Sequence, residues 1–502
     1  MASLLIVLVA SAPVWGQRPS RQSAGQPPRD ENASEEQKEP ESDKLETKDK
    51  AKKLLAIVGG DIITVTRETI RGGTLLIEDD KILALGTRVD IPKEAAQIDA
   101  TGKILCPGFV ALSVSRVGLS NSSDSSGNYA DGLDPFDNNV RLAVAVGITS
   151  GCQQVSSAGG RGRRGRATGE GFPINERFPG LDPDLAILES LQEQTQGDFG
   201  EYVSTCPCCG LPILSREPLA VPKPTPIETS NSAVIKMSYG VLDKMLLAEN
   251  VFLDANPGSL IGAANQRNWR EQIALARQYL RSQAEHEKAI AAGKKQQPPR
   301  KPVKDDVLRL VKHEVAMRIS ANTVSEMQML VELSKELDYE LVIDGAAECW
   351  VMGRELAEGD TSVILTPRSR RSSTFGAEDR SGTWIEASRV MQEHGVPFAV
   401  SALSSSISLN GLAGRDLTSL PLEAAFAVRG GASESTALAA ITIVPATMMG
   451  LEDRIGSLEV GKDADVLILN GQPLDYRTYV ETAIVNGNVV YERNAAPVLP
   501  VY

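Results

Sequence analysis

Short apolar runs broken by Gly, Pro, Asn and Asp divide this chain into three regions. The first starts near Leu54. Leu54-Ala56-Val58 leads through Gly59-Gly60 to Ile62–Val65, then Gly72-Gly73 to Thr74–Ile77, then Asp79-Asp80 to Ile82–Leu85. Such spacing is hairpin grammar and predicts a small antiparallel domain over 54–106. The last region, 451–502, reads alike: Val466–Leu469 precedes Ala483–Val485 and Val489–Tyr491, with Asn486-Gly487 between the latter two as a type I′ turn signal. Between them, over 107–450, strand-like and helix-like blocks alternate. Asn139–Ala145 reads as a helix feeding a strand at Ile148. Arg267–Lys288 reads as a charged helix with Ile273, Ala276 and Leu280 as its apolar stripe, and Thr323–Leu337 as an amphipathic helix. Insertions near 156–230 and 258–305 interrupt this alternation.

The chain is organised around Lys103–Ser115, where two apolar runs flank Pro107-Gly108. This predicts a strand, a tight turn and a second strand. Ser113 and Ser115, two apart, leave one face of that second strand. The passage resembles the metal-dependent amidohydrolases of the imidazolonepropionase-like branch. There a Pro-Gly turn closes a small β-domain and opens the first strand of a (β/α)8 barrel, and an Asp-x-His-x-His motif supplies two metal ligands. Here Ala111, Ser113 and Ser115 stand at those places. The resemblance implies an α/β fold: a (β/α)8 TIM barrel over 107–450, plus a β-sandwich built from 54–106 and 451–502.

The same resemblance extends to the other ligand-bearing strands. Val315–Asn322 is similar to the fifth-strand motif, with Ser320 where the family has a metal-binding His. Tyr339–Glu348 is similar to the sixth-strand motif, placing Asp344 at its Glu and Gly345 at its His. Phe398–Ser405 is similar to the eighth strand, where Ala402 or Leu403 replaces the Asp that serves as ligand and general base. Lys236 aligns with a lysine that some members carbamylate between two metals; otherwise it is a strand-end lysine at the barrel mouth. Ser, Ala, Gly and Leu do not hold a divalent cation at neutral pH. The expectation is therefore no bound cofactor, where the family would use zinc or another divalent metal.

Histidine numbers agree with this. The 502 residues contain three, His286, His313 and His394, too few for a two-metal site using four. His286 falls on a surface helix, while His313 and His394 lie before strands five and eight, at the end opposite the usual active site. A serine nucleophile among Ser113, Ser115, Ser320 and Ser401–Ser406 would thus lack an adjacent base. Asp344 remains as the candidate acid or base.

A net charge of −13 and 4% aromatic residues argue against nucleic acid as a partner. Residues 1–16 read as a signal peptide, with an apolar stretch too short to make a stable membrane span; an uncleaved anchor or a frayed terminus is the plainer reading. Residues 17–53, rich in Pro, Gln, Ser, Glu and Lys, read as a disordered linker. The protein is thus expected to be exported, periplasmic or extracellular. The Gly/Arg run 159–166 reads as a solvated insertion or an anion-binding loop. Cys206, Cys208 and Cys209 read as a loop disulfide or a metal or redox set, and Cys106, Cys152 and Cys349 as buried small hydrophobes.

These readings point to a metal-free relative of hydrolases acting on carbon-nitrogen bonds other than peptide bonds. It would bind a small molecule in the barrel mouth or pair with an active homologue, as a homo- or hetero-oligomer. The competing expectation is an active exported cyclic amidase or dipeptidase-like hydrolase with a non-standard site.

Overall fold

A computed structural model describes residues 52–119, 132–155, 202–205, 212–214, 231–256, 259–295, 297–374, 376–407 and 416–495. The segment read as a signal peptide, nearly all of that read as a disordered linker, the Gly/Arg run 159–166 and Cys206, Cys208 and Cys209 lie outside these residues. In chain order the first strands are β1 Leu54–Ile62, β2 Ile70–Glu78, β3 Lys81–Gly86, β4 Ala96–Asp99 and β5 Ile104–Pro107. Next come β6 Phe109–Val114, β7 Ile148–Val155, β8 Tyr202–Thr205, β9 Pro212–Leu214, β10 Asn231–Lys236, β11 Leu246–Glu249 and β12 Phe252–Ala255. The remainder are β13 Ala316–Ala321, β14 Leu341–Gly345, β15 Thr361–Leu365, β16 Phe398–Val400, β17 Val466–Leu469, β18 Val480–Val485 and β19 Asn488–Glu492.

Both chain ends share one eight-stranded sheet in the order β19-β18-β17-β5-β1-β2-β3, with β4 also on β1. The hairpins β1-β2 and β2-β3 are antiparallel as the Gly and Asp breaks predict, but β4 and β5 run parallel to β1. One continuous ladder, rather than two separate sheets, arises because β5 pairs with both β1 and β17. The period-two geometry of β17 uses both faces. Val466 and Ile468 join Ile57, Leu75 and Leu105 in the sheet's own core, while Leu467 and Leu469 face the neighbouring α/β region. At the β18-β19 turn, Asn486 and Gly487 both take positive φ, 49° and 69°, as a type I′ turn requires.

The Pro107-Gly108 turn delivers the chain from this sheet into β6. The Gly108 N–H donates to Asp465 O at 3.1 Å, and any Cβ there would overlap Thr149, so only glycine fits. Strands β11-β10-β7-β6 form one sheet and β12-β13-β14-β15-β16 another, the second wholly parallel. They meet where the Asn250 N–H donates to Ser232 O at 2.5 Å. Each strand of the two sheets contributes to one shared apolar core, among the residues Leu112, Cys152, Val234, Ala316, Val342 and Ala399, with Leu247 and Ala248 of β11 packed against it half-buried.

One strand departs from a uniformly parallel arrangement. β10 lies antiparallel to β7, pairing Asn231 with Val155 and Lys236 with Ser150. The strand pattern cannot reveal this, because residue alternation is the same in either direction. Among the helices, Val324–Leu337 opens with a reciprocal capping box between Thr323 and Glu326. Helix Ala263–Ala291 buries Trp269, Ile273 and Ala276, extending the expected stripe by one turn toward its start. No helix among the described residues is long and apolar enough to cross a membrane.

Candidate functional site

Two residues further along β12, β13 and β14, the shared apolar core turns polar. Alternation places Asp254 beyond Phe252, Arg318 beyond Ala316 and Asp344 beyond Val342, all on the inward face. Arg318, 2% exposed, donates from Nε to Asp254 Oδ1 at 2.6 Å and from Nη2 to Oδ2 at 3.1 Å, a bidentate pair. Its Nη1 donates to Leu112 O at 2.9 Å, and the guanidinium lies 4.5 Å from the Phe252 ring centroid. This cation is therefore held by a carboxylate, a backbone carbonyl and an aromatic ring.

Asp344 is half-buried beside this pair. Burial pushes its carboxyl above the usual carboxylate range, the Arg318 charge opposing and Asp254 reinforcing the shift. Burial also pushes the Cys152 thiol up to about 11 despite Arg318 nearby, so it is no thiolate at neutral pH. Cys106 and Cys349 are buried free thiols as well, in keeping with small hydrophobes.

The positions singled out by the sequence lie along this same edge of the strands but offer little chemistry. Ser113 is half-buried. The Ser115 hydroxyl lies 3.0 Å from that of Ser405, while its N–H donates to Ser405 O at 2.8 Å, tying the end of β6 to the segment after β16. Ser320 is exposed, Ala402 buried and Leu403 47% exposed. Gly345 has φ +92°, and a Cβ there would approach Asn322 Oδ1 to 2.7 Å, so this backbone disfavours any side chain, imidazole included. Among the described residues no group of three His, Cys, Asp or Glu side chains converges in a metal-holding arrangement. These residues do not fit the family's divalent metal.

His313 and His394 precede β13 and β16 at the opposite ends of those strands, and His286 lies on the long helix. Lys236 corrects the expectation of a lysine at the mouth. Because β10 runs backwards, its last residue is carried to the base, where Lys236 is fully buried with Nζ 2.9 Å from Asp463 Oδ2 and 2.5 Å from Asp465 Oδ2.

Sequence reading gave no role to Asp254, Arg318 or Arg371. Asp254 sits alone in the run Val251-Phe252-Leu253-Asp254-Ala255 and Arg318 in Met317-Arg318-Ile319. A charge embedded in a buried strand requires a partner, which was the available signal.

Beside this centre, a cavity of about 250 Å³ opens at the carboxyl ends of β13, β14 and β15, lined by residues that include Asn322, Gly345, Thr366, Arg371 and Trp384. In open α/β folds this end of the strands is where ligands bind.

A model of the Amidohydrolase family matches residues 424–491. Comparison with curated proteins finds no match. Among solved structures the chain is similar to an amidohydrolase from Thermotoga maritima MSB8, with 20% identity over 88% of this chain and 100% of that one and a TM-score of 0.54. It is also similar to molinate hydrolase (17% identity, 89% and 97% covered, TM-score 0.45) and to a Xaa-Pro dipeptidase with bound methionine in its active site (14%, 88% and 100%, 0.44). The first of these speaks to fold alone.

Proposed function

We propose that the chain belongs to the amidohydrolase superfamily, a reading supported by the match at residues 424–491, and that it is a degenerate member, a small-molecule binder rather than a metal-dependent hydrolase. In this reading the two inner sheets make the wall of a (β/α)8 barrel whose third stave is reversed, β11 and β12 together form the fourth, and the shared sheet of both chain ends is the accessory sandwich. The ligand sits at the carboxyl-end mouth. One observation carries the reading: the polar centre of the mouth is filled by a fixed guanidinium, Arg318, held bidentately by Asp254 and capped by Leu112 O. Asp254 is thereby spent on that guanidinium, and the ligand positions Ser113, Ser115, Ser320, Gly345, Ala402 and Leu403 offer neither carboxylate nor imidazole to a metal. Export through residues 1–16, and pairing with an intact homologue, belong to the same proposal.

Elemental analysis of the purified full chain tests it. Zinc and manganese are expected well below one per chain, and a stoichiometric metal overturns the reading.

A residual hydrolase is the second reading, supported by the raised carboxyl of Asp344 at the mouth, poised for general acid or base work. It expects chelator-resistant amide hydrolysis that Asp344→Asn abolishes. Hydrolysis unchanged in that variant removes Asp344 from the chemistry.

A further inference from the structure

The cavity at the ends of β13, β14 and β15 has a lopsided chemistry. Arg371 is the one charged side chain among its lining residues. Its Nη1 is buried and makes no hydrogen bond, although Glu348 Oε1 lies 3.3 Å away. That carboxylate is already engaged: Oε1 accepts from the Gly382 N–H at 2.9 Å and Oε2 from the Val324 N–H at 3.0 Å. A guanidinium sharing an already hydrogen-bonded carboxylate retains capacity for a second anion, and a buried donor left unmade is costly.

Another part of the lining is apolar. Trp384 and Ile385 line the cavity at 48% and 49% exposure, and the Trp384 ring packs against Trp350 at 5.5 Å between centroids. The wall is held in place rather than loose. Trp350 Nε1 donates to Gly382 O at 2.9 Å, the Arg371 N–H donates to Thr383 Oγ1 at 2.8 Å, and the Thr383 N–H returns to Arg371 O at 3.1 Å. The cavity is thus preformed and slightly smaller than the ~300–1,000 Å³ of pockets that hold drug-sized ligands.

We propose that this cavity binds a small carboxylate with a flat apolar body, its carboxylate on the Arg371 guanidinium and its body against Trp384 and Ile385. The inference rests on the reading of the mouth as a ligand site and adds the class of ligand. A guanidinium fork matches a carboxylate bidentately, whereas a neutral amide of the same shape presents one acceptor and two donors and leaves part of the fork unmet.

Calorimetric titration of the full chain with 3-phenylpropanoate and with its neutral amide tests the proposal. The acid is expected to bind at least about ten-fold more tightly than the amide, the scale of one hydrogen bond to a charged group. Arg371→Gln should remove that preference by weakening the acid alone, Arg371→Lys should keep part of it, and Trp384→Ala should weaken both probes alike. Equal affinity of the two probes, with Trp384→Ala still weakening both, overturns the anion selectivity and leaves the mouth a ligand site. Binding of neither probe overturns both.

Discussion

Two buried cations, Lys236 and Arg318, sit toward opposite ends of the same set of strands, each between carboxylates, and their surroundings differ in one respect. At the base, Asp463 contacts Lys236, Lys81 at 2.5 Å and Arg454 at 3.0 Å, while Asp465 also accepts from the Asn486 N–H at 3.0 Å. Burial would raise the Asp463 carboxyl, but the Lys236 charge and the Lys81 contact outweigh it and hold it down to about 2. At the mouth, Arg318 is spent on Asp254 and Leu112 O, and the remaining carboxyl, Asp344, is pushed up instead. A polar cluster with cations in excess is a lock, whereas one with a carboxyl left over has a group whose charge its surroundings disfavour.

Variants should break this contrast in a definite order. Lys236→Met strips two fully fenced carboxylates of their shared cation and should cost about 3–5 kcal/mol, read as a lowered urea midpoint. Arg318→Met should cost less, roughly 2–3 kcal/mol, because the carboxylates it strands, Asp254 and the half-buried Asp344, are less completely shut off from water than Asp463 and can hydrate or take up a proton. Its deficit should therefore shrink as pH falls and the stranded carboxylates protonate, and a deficit independent of pH would show that neither takes up a proton when Arg318 is lost. The smallest effect is the acid slope of the parent protein. Because the folded Asp463 carboxyl is depressed from 3.8 to about 2, its contribution is complete above about pH 4 and is lost as pH falls toward 2. Asp463→Asn should flatten stability across that window, as measured by thermal melts at stepped pH.

Much of the fold was legible because it is written locally. Pro107-Gly108 marked the passage from β5 to β6, Asn486-Gly487 the hairpin of β18 and β19, and Thr323 the start of the helix Val324–Leu337. Each signal acts within a few residues. The direction of β10 has no such signature, since it depends on how the chain returns through 156–230, and with the direction went the location of Lys236. The site was legible as a set of positions and illegible as a set of partners. Ser113, Ser115, Ser320 and Gly345 fall on the expected edge, yet the pair that fills the centre joins Asp254 to Arg318, 64 residues apart. Arg371 was hidden for a related reason: in Arg368-Ser369-Arg370-Arg371 nothing local separates the guanidinium that enters the cavity from its neighbours.

The strand β17, hydrogen-bonded to β5 on one side and β18 on the other, has a bearing on biogenesis. Early strands of the shared sheet leave the ribosome long before residues 466–469 and must wait with a bare, sticky flank. The sheet that opens the described chain therefore closes only once residues 466–469 have been made, a slow, long-range step of folding.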